Sequence, residues 1–272
     1  NMILLFSIIS CQNNNSDENA SDEILYTMPE ESEAHEGTWL QWPHHYQYGL
    51  TYRNEIDPTW VAMTKTLVTS EKVHIVAYDE TEKTRIIALL TAANVSLTNI
   101  DFKIYQTDDV WVRDNGPIYV KDKNGNLVIE DWGFNGWGEK ADFEKCDLIP
   151  AKIGVDQNRM VINLNNEMVN EGGAVEIDGN GTLLATKSAI LNTNRDPGLS
   201  QADAEAIFKT YLGVTNVIWL DGVAGLEITD MHIDGFARFG NATTIVTMNQ
   251  ASLLEWDVLQ TDINKLYAAK NK

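Results

Sequence analysis

A unit made of two hairpin strands, a helix and a further strand recurs along this chain of 272 residues. Tyr119–Glu130 places the run Asp-Lys-Asn-Gly-Asn between two apolar stretches, which is typical of a β-hairpin, and Val175–Ala185 repeats this pattern. Ser200–Tyr211 begins with a good N-cap and is followed by glycine, which predicts a helix, and Val217–Leu220 predicts a strand. Since the unit returns at intervals of roughly 50 to 70 residues, we predict an α/β fold of repeated modules rather than a doubly wound sheet.

Three further segments have a clear local pattern. Glu80–Ala92 carries apolar residues at helical spacing, Trp111–Val120 has the composition of extended chain, and Leu253–Ala269 predicts a last helix. From Ile24 onward no Pro/Gly/Ser-rich linker and no abrupt charge shift interrupts the chain. We therefore predict that residues 23–272 form a single domain.

The charge balance limits the partners that this chain can bind. It has 40 acidic and 20 basic residues, a net charge of −20. Nucleic acids and anionic membrane surfaces require clustered Lys and Arg, so we exclude both as direct partners. An excess of acids fits a cationic ligand, although it is also the usual composition of a soluble surface.

The first 22 residues predict a lipoprotein signal and a polar tether. Met2–Ser10 is apolar but too short to cross a bilayer, for which about 20 residues are needed. Ile8–Cys11 resembles the bacterial lipobox, which predicts Cys11 as the lipid anchor and the bacterial cell envelope as the location. The alternative is a disordered tail of no functional consequence.

The segment Asp109–Pro117 combines a tryptophan, an arginine and two acids in six residues before a Gly-Pro turn. An aromatic face beside carboxylates suits a flat, delocalised cation such as a guanidinium group. The alternative is an acidic loop in which Arg113 forms a local salt bridge.

Two later segments add acids and a histidine. Glu171 precedes a pair of glycines, which allow the backbone to approach a ligand closely. If Thr229–Asp234 is extended, His232, Asp234 and Asp230 share one face of a strand. A carboxylate beside an imidazole raises its pKa and orients it for acid–base chemistry. A metal site on these three residues and a purely structural histidine are the alternatives.

Together these segments closely resemble the agmatine deiminase and bacterial-type peptidylarginine deiminase family of the pentein superfamily. The resemblance is carried, in the family's order, by Met28–Glu30, Trp39–Pro43, Asp109–Pro117, Asn135–Gly138, Glu171–Gly173, Leu191–Pro197 and Thr229–Asp234. It implies a pentein-type α/β propeller of five blades. It also implies a carbon–nitrogen hydrolase that releases ammonia from a small guanidine or an arginine-containing peptide, without a cofactor or metal, in citrulline formation or putrescine biosynthesis.

The resemblance assigns roles residue by residue. Asp114 and Asp234 are expected to bind the guanidinium nitrogens, and His232 to act as the acid–base catalyst. Trp111 is expected to cover the planar group, and Glu171 matches an acid of the agmatine deiminase pocket. Two neighbours of the acid–base pair depart from the pattern, because Met231 stands where the family usually has Gly, and Gly235 where it has Asn.

The cysteines do not match the family. Its nucleophilic thiolate, which attacks the guanidinium carbon, lies in a glycine-rich segment well beyond the His-x-Asp motif. Cys11 lies in the signal-like segment, and Cys146 lies in an acidic loop that is expected to raise its pKa. We therefore expect a C-terminally truncated domain that does not catalyse the reaction. The alternative function is a non-catalytic, envelope-tethered protein that binds guanidines or polyamines; agmatine, arginine and peptidyl-arginine all remain open as substrates.

Overall fold

The computed structural model describes residues 23–270, so Cys11 and the segment of residues 1–22 lie outside the described residues. The strands are β1 (Tyr26–Thr27), β2 (Gly37–Gln41), β3 (Lys72–Ala77), β4 (Ile100–Ile104), β5 (Ile118–Asp122), β6 (Leu127–Gly133), β7 (Val161–Val169), β8 (Val175–Ile177), β9 (Thr182–Thr186), β10 (Asn216–Leu220), β11 (Ala237–Asn241) and β12 (Thr244–Thr247). The helices are α1 (His45–Leu67), α2 (Glu80–Ala92), α3 (Val112–Asn115), α4 (Gly136–Glu139), α5 (Ile149–Gln157), α6 (Lys187–Ile190), α7 (Gln201–Leu212), α8 (Gln250–Glu255) and α9 (Gln260–Ala268).

The predicted module of hairpin, helix and strand is confirmed. β5 and β6 form an antiparallel hairpin, α5 follows, and β7 then pairs parallel to β6. β8 and β9 repeat this arrangement with α7 and the parallel strand β10. The antiparallel pair of β11 and β12 begins a third unit, while β2, β3 and β4 form a separate parallel sheet. In both of the first two units, the strand after the helix therefore pairs parallel to the second strand of the hairpin.

Local capping explains why two predicted helices form where expected. The Asp79 side chain accepts a hydrogen bond from the Glu82 backbone at 2.8 Å, so α2 begins at Glu80. Ser200 and Asp203 form a capping box at the start of α7. Gly213 ends that helix at a φ of 74°, a left-handed conformation that glycine adopts without steric cost.

The prediction that Trp111–Val120 is extended is wrong in its first half. Val112–Asn115 closes one helical turn, in which the backbone and the side chain of Asn115 both donate to the carbonyl of Trp111. Extended chain begins only at Ile118. This turn lifts Asp114 out of the strand and points its carboxylate inward.

The last helix is also different from the prediction. Leu253–Ala269 is interrupted between α8 and α9, where Asp257 has a φ of 58°. The break lets Val258 turn into the core beside Leu253 and Ile263, so burial of an apolar side chain outweighs continuation of the helix.

The core consists of several apolar clusters under the sheets. The cluster between the β5–β7 and β8–β10 sheets buries Trp132, Leu183, Phe208 and Leu212. In residues 23–270 no helix combines the length and the apolar composition that a membrane span requires.

Candidate active site

Asp114 is held at the centre of the candidate site by two donors. The Trp137 indole donates to Asp114 Oδ2 at 3.0 Å, and the backbone N–H of Gly173 donates to Oδ1 at 3.2 Å. The side chain is buried, so these bonds fix a carboxylate in a region of low dielectric. One of the two predicted guanidinium-binding acids is therefore oriented before any ligand arrives.

Trp137 reaches Asp114 because of an unusual turn. All four residues from Gly136 to Glu139 have positive φ, between 58° and 83°. Only glycine adopts this region freely, and a β-carbon at Gly138 would also lie 2.2 Å from the Asn194 side chain. Residue type alone gives Trp137 no role, although the two glycines that flank it are the sequence signal of a left-handed turn.

Three predicted site residues converge on Gly173. A β-carbon there would lie 2.6 Å from Asp114 Oδ1, 2.6 Å from His232 Nδ1 and 3.0 Å from Asp234 Oδ2. The second glycine of the Glu-Gly-Gly motif thus lets the backbone approach these side chains, as the glycine pair predicted. The structure brings Asp114, His232 and Asp234 together around one backbone position.

His232 lies between two carboxylates. Its Nε2 is 2.9 Å from Glu171 Oε2, and its Nδ1 is 3.5 Å from Asp114 Oδ1. Burial by itself lowers the pKa of His232, but the hydrogen bonds and charges of Asp114 and Glu171 outweigh burial and raise this pKa to about 10. At neutral pH the ring is an imidazolium that can donate protons from both nitrogens.

The expectation that His232 and Asp234 share one face of an extended strand is wrong. Ile233–Gly235 forms a 3₁₀ turn with His232 as its N-cap residue. The turn, not strand alternation, places the imidazole and the Asp234 carboxylate on the same side of Gly173. Burial and the nearby Asp114 carboxylate raise the pKa of Asp234, and the positive charges of His232 and Arg113 oppose this effect.

Asp230 does not belong to the His232 cluster, so the metal-site alternative on His232, Asp234 and Asp230 is wrong. Its Oδ2 accepts from Arg195 Nη1 and from Lys140 Nζ, both at 2.6 Å. Two cations therefore occupy the carboxylate that a metal would require.

Trp111 lies at the start of α3 with 55% of its surface exposed. Its ring is positioned at the surface, and its role as a cover for the guanidinium group stays a prediction. Arg113 does form a salt bridge, but its partner is Glu31, 82 residues earlier in the chain, and not an acid of the same loop as the structural alternative supposed. Within this segment Asp114 therefore points inward to Gly173, while Arg113 pairs outward with a distant acid.

Cys146 is fully buried in an apolar cluster with Phe134 and Trp137. Its sulfur accepts hydrogen bonds from the backbone N–H groups of Asp108 and Asp109 at 3.2 and 3.4 Å. Burial, aided by the two acids, raises the pKa of the thiol to about 11 despite these hydrogen bonds. The predicted direction of this shift is confirmed, and Cys146 is a poor nucleophile.

Comparison with known proteins identifies the family. Residues 27–272 match the profile of the Porphyromonas-type peptidyl-arginine deiminases. The chain belongs to this family. The agmatine deiminase of Pseudomonas aeruginosa (strain LESB58) is 33% identical over 247 residues, which cover 89% of this chain and 63% of that protein. The agmatine deiminase of Stutzerimonas stutzeri (strain A1501) is 34% identical over 228 residues, or 79% of this chain and 58% of that protein.

The structural comparison agrees with the family assignment. The solved agmatine deiminase of Enterococcus faecalis superimposes with a TM-score of 0.79 at 25% identity, covering 90% of this chain and 67% of that one. The chain has the pentein fold of these deiminases. It spans less than two thirds of the length of the two curated relatives described above.

Met231 lies at a position where the backbone conformation favours glycine. Its φ is 67° and that of Asp230 is 60°, so two consecutive residues with side chains adopt the left-handed region directly before His232. The Met231 side chain is buried beside Leu220 and Ile233. Burial of this side chain therefore offsets the strain of its backbone.

Substitutions at Met231 are expected to separate these two effects. Met231→Ala loses the packing and keeps the strain, whereas Met231→Gly loses the packing and relieves the strain. We expect the glycine variant to be more stable than the alanine variant by about 1 kcal/mol in urea unfolding, with both less stable than the parent. An alanine variant as stable as the glycine variant would contradict the proposed strain.

Proposed function

We propose that this chain provides the guanidinium-binding and proton-transfer groups of a guanidine deiminase. The observation that carries the proposal is the convergence of Asp114, His232 and Asp234 on Gly173, with the His232 imidazolium held between Asp114 and Glu171. A guanidinium group has a planar set of N–H donors, and two fixed carboxylates are suitable acceptors for it.

Each residue has a distinct task in the proposed reaction. Asp114 and Asp234 accept the N–H donors of the guanidinium group and fix its carbon in place. Once a nucleophile, which in this family is a cysteine thiolate, has added to the guanidinium carbon, His232 donates a proton to the departing nitrogen, which leaves as ammonia. It later takes a proton from the water that attacks the same carbon and displaces the sulfur. Glu171 holds the imidazole at Nε2 throughout.

The nucleophile of the family is a cysteine thiolate, and Cys146 does not meet its requirements. A buried thiol with a pKa of about 11 carries almost no thiolate at neutral pH. We therefore expect that Cys146 is not the nucleophile of the reaction.

Agmatine is the substrate that we favour. The curated relatives described above are named as agmatine deiminases, which supports a deiminase over a non-catalytic guanidine or polyamine binder. The product of agmatine deimination would serve putrescine biosynthesis. Free arginine and peptidyl-arginine share the guanidinium group and differ only in what is attached to its alkyl chain.

Calorimetric titration with four ligands tests the proposal. Agmatine, arginine and an arginine-containing peptide carry the guanidinium group, whereas putrescine is a matched diamine without it. We expect agmatine to bind most tightly and putrescine at least about 10-fold more weakly, because it lacks the planar donors. Equal binding of putrescine would favour the polyamine binder, and no binding of any guanidine would refute the proposal. Ammonia release from the same samples would overturn the conclusion about Cys146.

We also propose that Cys11 is lipidated and anchors the protein in the bacterial cell envelope. The support is the apolar run that ends in the lipobox-like Ile8–Cys11 and the polar residues that follow it. The protein is expected to enter the detergent phase in Triton X-114 partitioning, and Cys11→Ser is expected to move it to the aqueous phase. Equal partitioning of both proteins would contradict the anchor.

A further inference from the structure

Arg195 makes an extensive set of contacts directly behind His232. Its Nε donates to both carboxylate oxygens of Glu171 at 2.9 Å. Its Nη1 donates to Asp230 at 2.6 Å, and its Nη2 donates to the carbonyl of Thr229 at 3.1 Å. Arg195, Glu171 and Asp230 are all buried, with side chains only 1% exposed.

These contacts reach His232 from two directions. Glu171 is the carboxylate that accepts from His232 Nε2. Thr229 and Asp230 begin the turn that carries His232, and the Thr229 hydroxyl also accepts from the His232 backbone N–H at 3.1 Å. The Arg195 guanidinium group thus contacts both Glu171, which binds the imidazole, and the backbone segment that carries His232.

We propose that Arg195 is a positioning residue, which sets the orientation of the His232 ring by holding Glu171 and the Thr229–Met231 turn in a fixed relation. Its importance for catalysis rests on the function proposed above, but its effect on His232 is a property of this chain alone. In the sequence, Arg195 is visible only as one residue of the Leu191–Pro197 motif.

The planar fork of arginine is the feature that the site requires. Two consecutive left-handed residues, Asp230 and Met231, are strained and persist only where the surroundings hold them. Arg195 reaches Glu171, Asp230 and the Thr229 carbonyl with three different nitrogens. A lysine ammonium is a point charge on a flexible stem and cannot reproduce this geometry.

The positive charge of Arg195 and its hydrogen bonds to Glu171 have opposite effects on the pKa of His232. In the described part of the chain, the charged groups around the imidazole are four acids and three cations. The acids are Asp114, Glu171, Asp234 and Glu227; of the cations, Arg113 acts on Asp234, and Arg195 and Lys140 pair with Asp230. If Arg195 acted only as a positive charge, its removal would favour the imidazolium and raise the pKa of His232. If it holds Glu171 in place, its removal lets the carboxylate turn away from Nε2, and the pKa of His232 falls.

Histidine NMR titration of this chain tests the proposal without any substrate. We expect the pKa of His232 to fall by about one pH unit or more in Arg195→Met and in Arg195→Lys, since neither side chain has the fork. Lys140→Met is the matched control, because Lys140 donates to the same Asp230 oxygen but does not contact Glu171. In that variant we expect the pKa of His232 to stay within a few tenths of a pH unit.

An unchanged or raised pKa of His232 in the Arg195 variants would overturn the proposal. Arg195→Lys keeps the buried positive charge, so it decides the question if Arg195→Met does not fold, and the four other histidines report whether each variant is native. Agmatine binding to the parent is measured in parallel. If the pKa of His232 falls in the Arg195 variants and the parent does not bind agmatine, the positioning role is supported and the proposed function is refuted. If the parent binds agmatine and the pKa of His232 is unchanged in the variants, the proposed function is supported and the positioning role is refuted.

Discussion

Agmatine binding is expected to weaken at least about 30-fold when Asp114 is replaced by asparagine, a loss of about 2 kcal/mol or more. Asparagine keeps the size of the side chain and an oxygen that accepts from Trp137. It removes the negative charge, and its NH₂ group faces the donors of Gly173 and His232, which lie 3.2 and 3.5 Å from Asp114 Oδ1. A guanidinium ligand would thus lose a charged acceptor and meet a competing donor. Calorimetric titration measures the change.

Glu55→Gln is the control for this experiment. Glu55 is exposed on α1 and belongs to none of the motifs that carry the family resemblance, and the substitution removes the same amount of charge. It is expected to leave agmatine affinity within about twofold of the parent, because exposed charges act weakly through solvent. If Asp114→Asn bound agmatine as well as Glu55→Gln does, Asp114 would not be a guanidinium ligand.

Glu130→Gln is expected to stabilise the protein by roughly 3 to 5 kcal/mol at pH 8 and by almost nothing at pH 4. Glu130 is fully buried on β6, with one oxygen accepting from the Trp132 indole at 3.0 Å. Its other oxygen has no hydrogen-bond partner among residues 23–270. Burial raises the pKa of Glu130 to about 9, from an ordinary value of 4.5.

The direction of this effect follows from the raised pKa. The folded protein prefers the neutral acid, so the stability that Glu130 contributes is complete below pH 4.5. This stability is lost as the pH rises toward 9, because Glu130 loses its proton at a lower pH in the unfolded chain than in the folded protein. Glutamine is neutral at every pH and retains an acceptor for Trp132. Urea unfolding of the parent, Glu130→Gln and Glu55→Gln between pH 4 and pH 9 measures the difference, and a difference that does not grow with pH would contradict a neutral Glu130.

The elements that could be predicted from the sequence are those that local interactions stabilise. The hairpin at Tyr119–Glu130 has its turn residues in place, and α2 and α7 have their caps within three residues of their first turn. The break in Leu253–Ala269 has no comparable local signal. It depends on where Val258 finds a buried position, which is set by contacts distant in sequence.

The site shows the same division. Asp114, Glu171, His232 and Asp234 were identified by residue type and by resemblance, since carboxylates and an imidazole have chemistry that a sequence displays. Trp137 and Arg195 were not, because an indole or a guanidinium group becomes significant only through the atoms that it contacts. Asp230 was placed in the wrong cluster, since strand alternation does not hold in a left-handed turn.

The sequence by itself determined the modular α/β architecture, the family and the chemical groups of the site, because repeated local patterns and reactive side chains are legible in the order of residues. Only the tertiary structure decided how these groups are charged and directed. It places His232 between two carboxylates, pairs Asp230 with cations and buries Cys146 among apolar side chains. Distance and burial set the electrostatic energy of each group, and both depend on segments that meet only when the chain folds.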